Sequence, residues 1–599
     1  MLKNQKPFRD KTESLILIIK ICIIVFGAYS VMTNFIPFYE GANPYYVGAS
    51  AVKFAQGEFI LSNELLEKYG SYEFITGGWF LTDQNTSVPS HSTGLIVLGA
   101  IFYQIAGYSG LFYLAPIFFI ILLIISERIT TKFFGSIAGL TTLLILVTSN
   151  LLFRVSTELM TESVFSVFFI LGIFYTINFV KTKKNYQILL ASSLFVYASW
   201  IRMSGMMSFP IEIVFVISYF IAIEIRDVKN NNNSIKLSKF CLQLLKKIKR
   251  RKPIKIFILL IIPWVILLLG NMLFFSYFFN DPNANYLTIE QIELYDYSIS
   301  SLLEFESKDF ENIKIYSKYL LPYQIPGIYN QLDLKFDNYL GEDWPGLVGL
   351  AFLFLITFIA IKTKDHRFHI ILFMIFIISY VWFYSAITSE ERSLGDKQIP
   401  ARYMIPVFVL SSIMIGFITE KILRLNEKKQ KIKVSLKVIK GLIIIGLTLF
   451  FIVGFYFYPS IQYGDAGFTN PEDYSERYPL DLEGIEPNSI VLSNNSIRLL
   501  EYDGLISFDV IPLKKNGIQK DSVLLLKQLN QEGYDVYMFK KSFTSHSLEM
   551  KNTLIEEYGI ILKEHSKTFC KVEFQTVNDL KSDEECLNKT PIRIPYFMK

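Results

Sequence analysis

Charged residues are scarce in this chain of 599 residues, and that scarcity excludes an ordinary soluble protein of the same length. Asp, Glu, Lys and Arg make up 19% of the sequence, whereas 51% of it is hydrophobic and 16% is aromatic. Several windows exceed the ~18 consecutive, nearly uncharged residues that mark a membrane span. We therefore expect a bundle of transmembrane helices and one soluble domain.

The first apolar run lacks the cleavage site of a signal peptide. The basic segment MLKNQKPFRDKTE leads into SLILIIKICIIVFGAYSVMTNFIPFY, which is longer than a signal-peptide core and contains no Ala-x-Ala. This pattern predicts a first span and not a removed leader. Cysteine is scarce as well. Cys22 and Cys241 lie in or behind the membrane, so Cys570 and Cys586 form the candidate disulfide.

Eleven hydrophobic segments are long enough to be predicted as spans. They lie at about 15–37, 108–127, 137–154, 161–180, 186–202, 206–225, 256–279, 345–362, 368–387, 403–420 and 440–458. The run 94–107 is too short to cross alone. We expect it to lie at the membrane interface or to extend the second span.

The loops between these segments differ in charge, and the difference predicts an orientation. The loops 181–184, 226–255, 362–367 and 420–440 are basic, whereas the alternate loops 38–93 and 280–344 are acidic and aromatic. Because Lys and Arg are retained on the cytoplasmic side, the chain is expected to begin inside and to end outside. The fold class predicted is thus a polytopic α-helical membrane protein of about eleven transmembrane helices.

The last part of the chain, 459–599, is polar and is predicted to be an extracytoplasmic soluble domain. The segments SIVLSN, DSVLLLKQLNQEG and YDVYMF alternate strand with helix, which is typical of a small α/β domain with some parallel sheet. It contains no glycine-rich phosphate loop. Residues 1–458, with the outer loops 38–93 and 280–344, form the membrane domain.

Chemistry requires polar groups where the bilayer meets the exterior, and Glu40 is the first of them. It follows the first span directly and precedes a segment, GANPYYVGASAVKFAQG, that predicts a helix lying on the membrane. Partial desolvation at such an interface makes a carboxylate a better proton acceptor. A solvated loop acid is the alternative. The apolar face predicted for the helix comprises Tyr45, Tyr46, Ala49, Ala51 and Phe54.

A second acidic group lies between the third and fourth spans, in FRVSTELMTESVF. Arg154, Glu158 and Glu162 are spaced four residues apart, so they share one face if this turn is helical. One interpretation is a local ion pair at a helix hairpin. The other is a second acidic site across a cavity from Glu40.

Cations form the third group. Arg202, in WIRMSG, ends a span on the outer side, where it requires either a carboxylate in the bundle or a phosphate, which a guanidinium can bind with two parallel hydrogen bonds. Lys397, Arg402 and Tyr403, in SEERSLGDKQIPARYMIPVFVL, lie at the same boundary. His91, in SVPSHSTG, either binds phosphate or is an ordinary interfacial residue.

The order of these motifs resembles the glycosyltransferase C superfamily, especially its family 39-like branch, which includes protein O-mannosyltransferases and aminoarabinose transferases. The resemblance covers roughly 15–420. The Asp that often precedes the first acid is missing, Pro-Ser-His-Ser replaces Pro-Pro, and the Trp-Trp-Asp signature of oligosaccharyltransferases is absent. The matching positions are Tyr39, Glu40, Tyr45 or Tyr46, Ala49, Gly57, Pro89, Gly94, Ala100, Gly107, Glu162, Arg202, Arg402, Tyr403 and Pro406.

The resemblance implies an integral cell-membrane enzyme that transfers a sugar from a polyprenyl-phosphate carrier to a protein, lipid or glycan on the outer face. In that reaction Glu40 would be the general base, with Glu158 and Glu162 as further acids. Arg202 and Arg402 would bind the lipid phosphate, with Tyr403, Lys397, His91 and Tyr46 as further substrate contacts. Two or three acids around a cavity can hold a divalent ion, so metal use stays open.

Two other functions are compatible with the sequence. A transporter or flippase for lipid-linked sugars would also carry outer arginines, but it should have polar groups at mid-membrane depth. The predicted spans contain few polar residues of this kind; Lys20, near the inner end of the first span, and Asn271, inside the seventh, are two of them. This scarcity disfavours transport. A non-catalytic cell-envelope assembly factor would leave the acids and arginines unexplained.

Overall fold

The structure is a computed structural model of the full chain, and its described residues fall into separate ranges. These are 6–33, 42–57, 79–81, 87–89, 93–231, 253–279, 367–387, 402–428, 484–486, 489–493, 506–509, 520–539, 559–566 and 569–574, with single positions between 313 and 359. By its internal contacts the chain divides into two compact units. The first comprises Met1–Thr33, Ala115–Tyr277 and Asp281–Gln462, and the second comprises Asn34–Leu114, Phe278–Asn280 and Tyr463–Lys599.

Twelve helices are described, and most follow the predicted spans. They are α1 (Lys6–Thr33), α2 (Ala42–Ala55), α3 (Thr93–Phe134), α4 (Ser136–Val147), α5 (Asn150–Ser156), α6 (Thr161–Thr182), α7 (Asn185–Ile201), α8 (Ser208–Asn231), α9 (Pro253–Phe279), α10 (Arg367–Ile387), α11 (Ile405–Lys428) and α12 (Lys520–Gln531). A 3-10 helix, Met203–Met207, joins α7 to α8.

Five of these helices contain segments long and apolar enough to cross a membrane: Glu13–Thr33, Thr93–Phe134, Thr161–Thr182, Lys255–Tyr277 and Ile405–Leu423. The shorter apolar segments are Ser136–Val147, Ser204–Tyr219 and Phe368–Tyr384. The predicted class, a helical membrane protein, is confirmed. The predicted spans at 345–362 and 440–458 lie largely outside the described residues.

Burial separates the helices of the first unit into central and peripheral ones. In α4 every residue from Ala138 to Val147 is buried, whereas α1 and α9 expose large apolar side chains, with Ile266 65% and Leu273 71% accessible. A polar solvent would oppose such exposure, but lipid does not. The outer faces of α1 and α9 therefore suit contact with acyl chains.

Two polar contacts join helices of the first unit away from the candidate site. The Lys20 Nζ of α1 lies 2.6 Å from the Glu127 Oε1 of α3 and also donates to the Thr131 hydroxyl. The Glu420 carboxylate of α11 accepts the backbone N–H groups of Ile137 and Ala138, at 3.2 Å each. Glu420 thereby supplies, from α11, the cap that the first turn of α4 needs.

The second unit contains the interfacial run anticipated at 94–107. It is helical, and it continues into the second span through a break at Ala106 and Gly107, where Gly107 has a φ of 61°. A left-handed φ favours glycine, which has no Cβ. Before the break α3 packs closely on α2, since a Cβ added to Gly99 would lie 2.9 Å from the Cβ of Ala51. The run is therefore helical and connects to the second span through this break.

The same unit contains a five-stranded sheet in the part of the chain predicted to be α/β. Its strands are β3 (Ile490–Ser493), β4 (Ile506–Asp509), β5 (Val536–Phe539), β6 (Ile560–Glu564) and β7 (Phe569–Phe574), in the order β4-β3-β5-β7-β6. The first three are parallel, and β7 is antiparallel to both its neighbours. Cys570 is disulfide-bonded. Cys586, its predicted partner, lies outside the described residues.

A separate two-stranded ribbon precedes α3. It pairs β1 (Trp79–Leu81) with β2 (Ser87–Pro89) in antiparallel register, so that Phe80 lies opposite Val88. The ribbon ends at Pro89, a position of the family motif, and α3 begins four residues later at Thr93.

Candidate active site

The candidate site is built around the Glu162 carboxylate in the first turn of α6. Its side chain is only 2% exposed, and its Oε1 accepts a hydrogen bond of 2.8 Å from the Arg202 Nη1. Arg202 follows α7 directly, where the backbone is extended with φ −152° and ψ 128°. The end of α7 and the beginning of α6 thus bring together two residues forty positions apart.

Arg402 supplies a second guanidinium to the same carboxylate. Its Nε lies 3.6 Å from the Glu162 Oε1, and its Nη1 lies 3.5 Å from the Met160 Sδ. Burial alone would lower the pKa of Arg402, but the Glu162 carboxylate raises it above the ordinary value. Arg402 therefore stays protonated next to Arg202.

Tyrosines organise the two guanidiniums. The Arg202 Cζ lies 4.1 Å from the ring centroid of Tyr403, and the Arg402 Cζ lies 5.3 Å from it. Tyr403 stacks on Tyr384 of α10, with ring planes 15° apart and centroids 5.4 Å apart. Both cations are therefore held against an aromatic surface whose face attracts positive charge.

Two tyrosines of α10, Tyr384 and Tyr380, connect this aromatic surface to the 3-10 helix. The Tyr384 ring packs against Tyr380, one helical turn away, with centroids 5.6 Å apart. The Tyr380 hydroxyl lies 2.9 Å from the Ser204 hydroxyl in the 3-10 helix. This contact fixes the segment directly after Arg202, so α10 helps to position that guanidinium.

The exposed fractions determine which groups a ligand can reach. The side chains of Arg202 and Arg402 are 15% and 20% exposed, whereas Glu162 is 2% exposed. Among the described residues, no second carboxylate lies within ion-pair distance of either guanidinium. The accessible part of the site is therefore cationic, and it suits a phosphate.

The predicted helical face of Arg154, Glu158 and Glu162 does not form. α5 ends at Ser156, a turn covers 157–159, and Met160 is extended before α6 begins. Spacing of four residues places side chains on one face only within a continuous helix. Glu158 is buried, at 3%, in that turn. The ion pair of Glu162 is not local either, because its partners lie 40 and 240 residues away.

The helix predicted after Glu40 is present as α2, and two residues of its predicted apolar face, Ala51 and Phe54, have described side chains. α2 occupies the expected segment, yet Ala51 is fully buried against α3 whereas Phe54 is 37% exposed. Val47 and Val52, which were not predicted, are buried as well. Ala51 is therefore buried against protein by its neighbour α3, and the composition of α2 alone does not predict that contact.

Several predicted site residues lie outside the described part of the chain. These are Glu40, His91 and Lys397, together with the side chain of Tyr46, whose backbone belongs to α2. Their roles stay predictions. Among the described residues, no group of three or more His, Cys, Asp or Glu side chains is arranged to hold a metal ion.

The sequence interpretation missed Tyr380, Tyr384, Ser204 and Met160. A signal for the two tyrosines was present: they are four residues apart in a helix that is otherwise almost entirely apolar, so their hydroxyl-bearing edges share one face. Met160 and Ser204 carry no such signal.

Sequence comparison identifies no relative, since no protein-family model and no curated protein matches the chain. Solved structures do match. ArnT from Cupriavidus metallidurans in the apo state is 10% identical, with a TM-score of 0.49 over 93% of this chain and 97% of that one. The same protein bound to undecaprenyl phosphate is 11% identical with the same TM-score and coverage.

An archaeal oligosaccharyltransferase is a further match. AglB from Archaeoglobus fulgidus, in complex with an inhibitory peptide and a dolichol-phosphate, is 13% identical, with a TM-score of 0.45 over 94% of this chain and 75% of that one. The chain is similar to these three structures, and their likeness assigns no residue of this chain a role.

Proposed function

We propose that this chain is a multi-pass membrane glycosyltransferase that moves a sugar from a polyprenyl-phosphate donor to an acceptor on the outer face of the cell membrane. One observation carries the proposal. Two guanidiniums from distant parts of the chain share the buried Glu162 carboxylate, and both keep an accessible edge. A site with that charge is suited to a ligand that bears a phosphate.

The chemistry follows from the leaving group. When the bond between the anomeric carbon and the lipid phosphate breaks, negative charge grows on the phosphate oxygens. Preorganised donors stabilise such charge more in the transition state than in the ground state, and this difference accelerates the reaction. Arg202 and Arg402 would supply these donors, while Glu162 and Tyr403 hold them in place. In this proposal Glu162 is a positioning residue, since the guanidiniums cover its carboxylate.

A base is still required to activate the acceptor, and Glu40 is our candidate. It would accept a proton from the attacking hydroxyl, most simply with inversion at the anomeric carbon. Tyr46, His91 and Lys397 are candidate contacts to the sugar or to the phosphate. Glu158, which is buried beside α6, is a candidate second acid. Whether the acceptor is a protein, a lipid or a glycan is to be determined in the transfer experiment described below.

The topology proposed for this reaction has eleven spans, a cytoplasmic N-terminus and an outer C-terminal α/β domain. Its support is the distribution of Lys and Arg among the loops. In this orientation Glu162, Arg202 and Arg402 lie at the outer boundary, where a lipid carrier presents its phosphate.

Transport of a lipid-linked sugar is the second candidate, and one observation favours it. Glu212, in α8, is fully buried, and its Oε1 accepts a hydrogen bond of 3.4 Å from the Thr176 hydroxyl of α6. A carboxylate within a membrane span marks transport pathways more often than an ordinary lipid-facing position. The sequence interpretation passed over this residue.

The experiment that separates the two candidates uses the purified full chain with a panel of polyprenyl-phosphate sugars. A transferase releases free polyprenyl phosphate in the presence of an acceptor, whereas a transporter moves the intact donor between leaflets of a vesicle. We expect release for one donor, and we expect Glu40→Gln and Arg402→Gln to abolish it while both variants still insert and fold. Arg128→Gln, at an exposed arginine of α3, is the matched control. Donor movement without release would replace the proposal by transport.

A further inference from the structure

Three lysines, Lys132, Lys181 and Lys183, form a cluster at the end of α6 that lies opposite the candidate site. α6 has 22 residues, so its ends are about 33 Å apart, which is close to the thickness of the hydrocarbon core. Glu162 is in the first turn, Lys181 is in the last turn, and Lys183 follows the helix. Lys132 is in the last turn of α3. This cluster therefore lies at the other boundary of the bilayer.

Each ammonium of the cluster lies over an aromatic ring. The Lys132 Nζ is 4.6 Å from the centroid of Phe174, and the Lys181 Nζ is 4.5 Å from that of Phe133. The Lys183 Nζ is 4.6 Å from the centroid of Tyr219. Aromatic faces attract ammonium groups, but they supply no full negative charge.

Lys132 and Lys181 lack an anionic partner among the described residues. Their charges interact repulsively, and the contact of Lys132 with a protein oxygen is a hydrogen bond of 3.2 Å to the Asn178 Oδ1. In contrast, Lys20 in the same unit is paired with Glu127 at 2.6 Å. Two mutually repelling ammonium groups that each lie over a neutral ring at a membrane boundary are therefore suited to bind an anion.

The surroundings favour a lipid as the source of that anion. Tyr186, Leu189 and Leu190, at the beginning of α7, are 59%, 36% and 37% exposed next to the end of α6. These side chains offer apolar surface to acyl chains within nine residues of Lys181 along the chain. Basic residues at a membrane surface each attract anionic headgroups by roughly 1 kcal/mol, so two of them correspond to about thirtyfold in affinity.

We propose that Lys132 and Lys181 bind the headgroup phosphate of an anionic phospholipid in the leaflet opposite the candidate active site. Phe133 and Phe174 form the floor of this headgroup site, and Asn178 orients Lys132. The site is separate from Arg202 and Arg402, so the inference does not depend on the glycosyltransferase assignment.

Native mass spectrometry of the purified full chain tests this proposal, with phosphatidylglycerol and phosphatidylcholine as the two probes. We expect the double variant Lys132→Gln/Lys181→Gln to bind phosphatidylglycerol about thirtyfold more weakly than the unmodified chain. Binding of phosphatidylcholine should not change. Lys184→Gln removes a neighbouring exposed lysine that lies over no described ring, and we expect it to stay within about twofold of the unmodified chain.

Three results would overturn the proposal. Unchanged phosphatidylglycerol binding in the double variant would remove the site. An equal loss in Lys132→Arg/Lys181→Arg, which retains both charges, would assign the effect to packing. If millimolar inorganic phosphate displaces the lipid, and if inorganic phosphate alone binds as tightly as phosphatidylglycerol, the site would be one for a free anion. The unfolding midpoint of each variant shows that the compared chains are folded.

Discussion

Glu162 is the residue on which the cationic site depends, because a single buried carboxylate orients two guanidiniums. Without it, Arg202 and Arg402 would repel each other beside the Tyr403 ring. The carboxylate lowers that repulsion and leaves an excess of positive charge facing outward. This combination of a buried anion and two partly exposed cations is a simple way to preorganise a phosphate site.

Glu162→Gln is expected to weaken both stability and activity. The amide keeps the shape of the side chain but removes the charge, so two guanidiniums are left without a counter-ion in a largely buried place. Removal of one partner from a buried ion pair costs about 3–5 kcal/mol. Thermal unfolding and release of polyprenyl phosphate measure the two effects. Glu573→Gln, in the half-exposed pair with Lys563, is the control, with an expected cost below about 1 kcal/mol. Equal costs would contradict this account of Glu162.

Two substitutions of Tyr403 distinguish the role of its ring from that of its hydroxyl. We expect Tyr403→Leu to lower transfer by about a hundredfold, because both guanidiniums lose their aromatic surface, worth about 1–2 kcal/mol for each. Tyr403→Phe retains the ring and should lose about tenfold or less, the value of one hydrogen bond. Rates at saturating donor measure both variants. Equal loss in the two would show that the hydroxyl, and not the ring, matters.

At the scale of elements, the existence of the helices was predictable because each span needs a long apolar segment. The spans at 161–180 and 368–387 match α6 and α10 to within a few residues at each end. The sequence did not indicate two local packing details. The burial of Ala51 depends on its close approach to Gly99, and the turn at 157–159 depends on how α5 meets α6. Both are set by neighbours that a local pattern does not contain.

The N-terminus of α4 offers a test of how α11 supports it. Gly135 has a φ of 129°, and a Cβ there would lie 2.6 Å from the Glu420 Cδ. We expect Gly135→Ala to lower stability by more than about 1 kcal/mol, through backbone strain and displacement of the capping carboxylate. Gly270→Ala, in α9, is the matched control, since a Cβ added there meets no described neighbouring atom within 4 Å, and it should be neutral or stabilising. Unfolding in detergent measures both, and a neutral Gly135→Ala would contradict the capping role of Glu420.

Glu212 is expected to reduce the stability of the contact between α6 and α8. Its Oε2 has no hydrogen-bond partner among the described residues, whereas the Thr176 hydroxyl also donates to the Gly172 carbonyl at 3.0 Å. Glu212→Met fills the same space without a buried polar group, so the unfolding midpoint should rise by the equivalent of about 1–3 kcal/mol. Transfer should be retained. A loss of activity with unchanged stability would give Glu212 a function and would favour transport.

At the scale of the whole molecule, the sequence indicated the membrane class and predicted that Arg202 and Arg402 meet at one site, but it did not indicate that Glu162 is the carboxylate they share. Arg202 and Arg402 were singled out because outer arginines require partners. That both would share Glu162 depends on the packing of α6, α7, α10 and α11, which no local spacing encodes. Glu40 stays a prediction, because it lies outside the described residues.

The most direct measurement of the central claim compares binding of a polyprenyl phosphate with binding of the polyprenol of equal length. The unmodified chain should prefer the phosphate by at least about a hundredfold, as expected for charge-assisted bonds from two guanidiniums. Arg402→Gln should remove most of that preference, whereas Lys132→Gln should leave it unchanged. If Arg402→Gln retains the full preference for the phosphate, the guanidiniums over Glu162 are not the lipid-phosphate site.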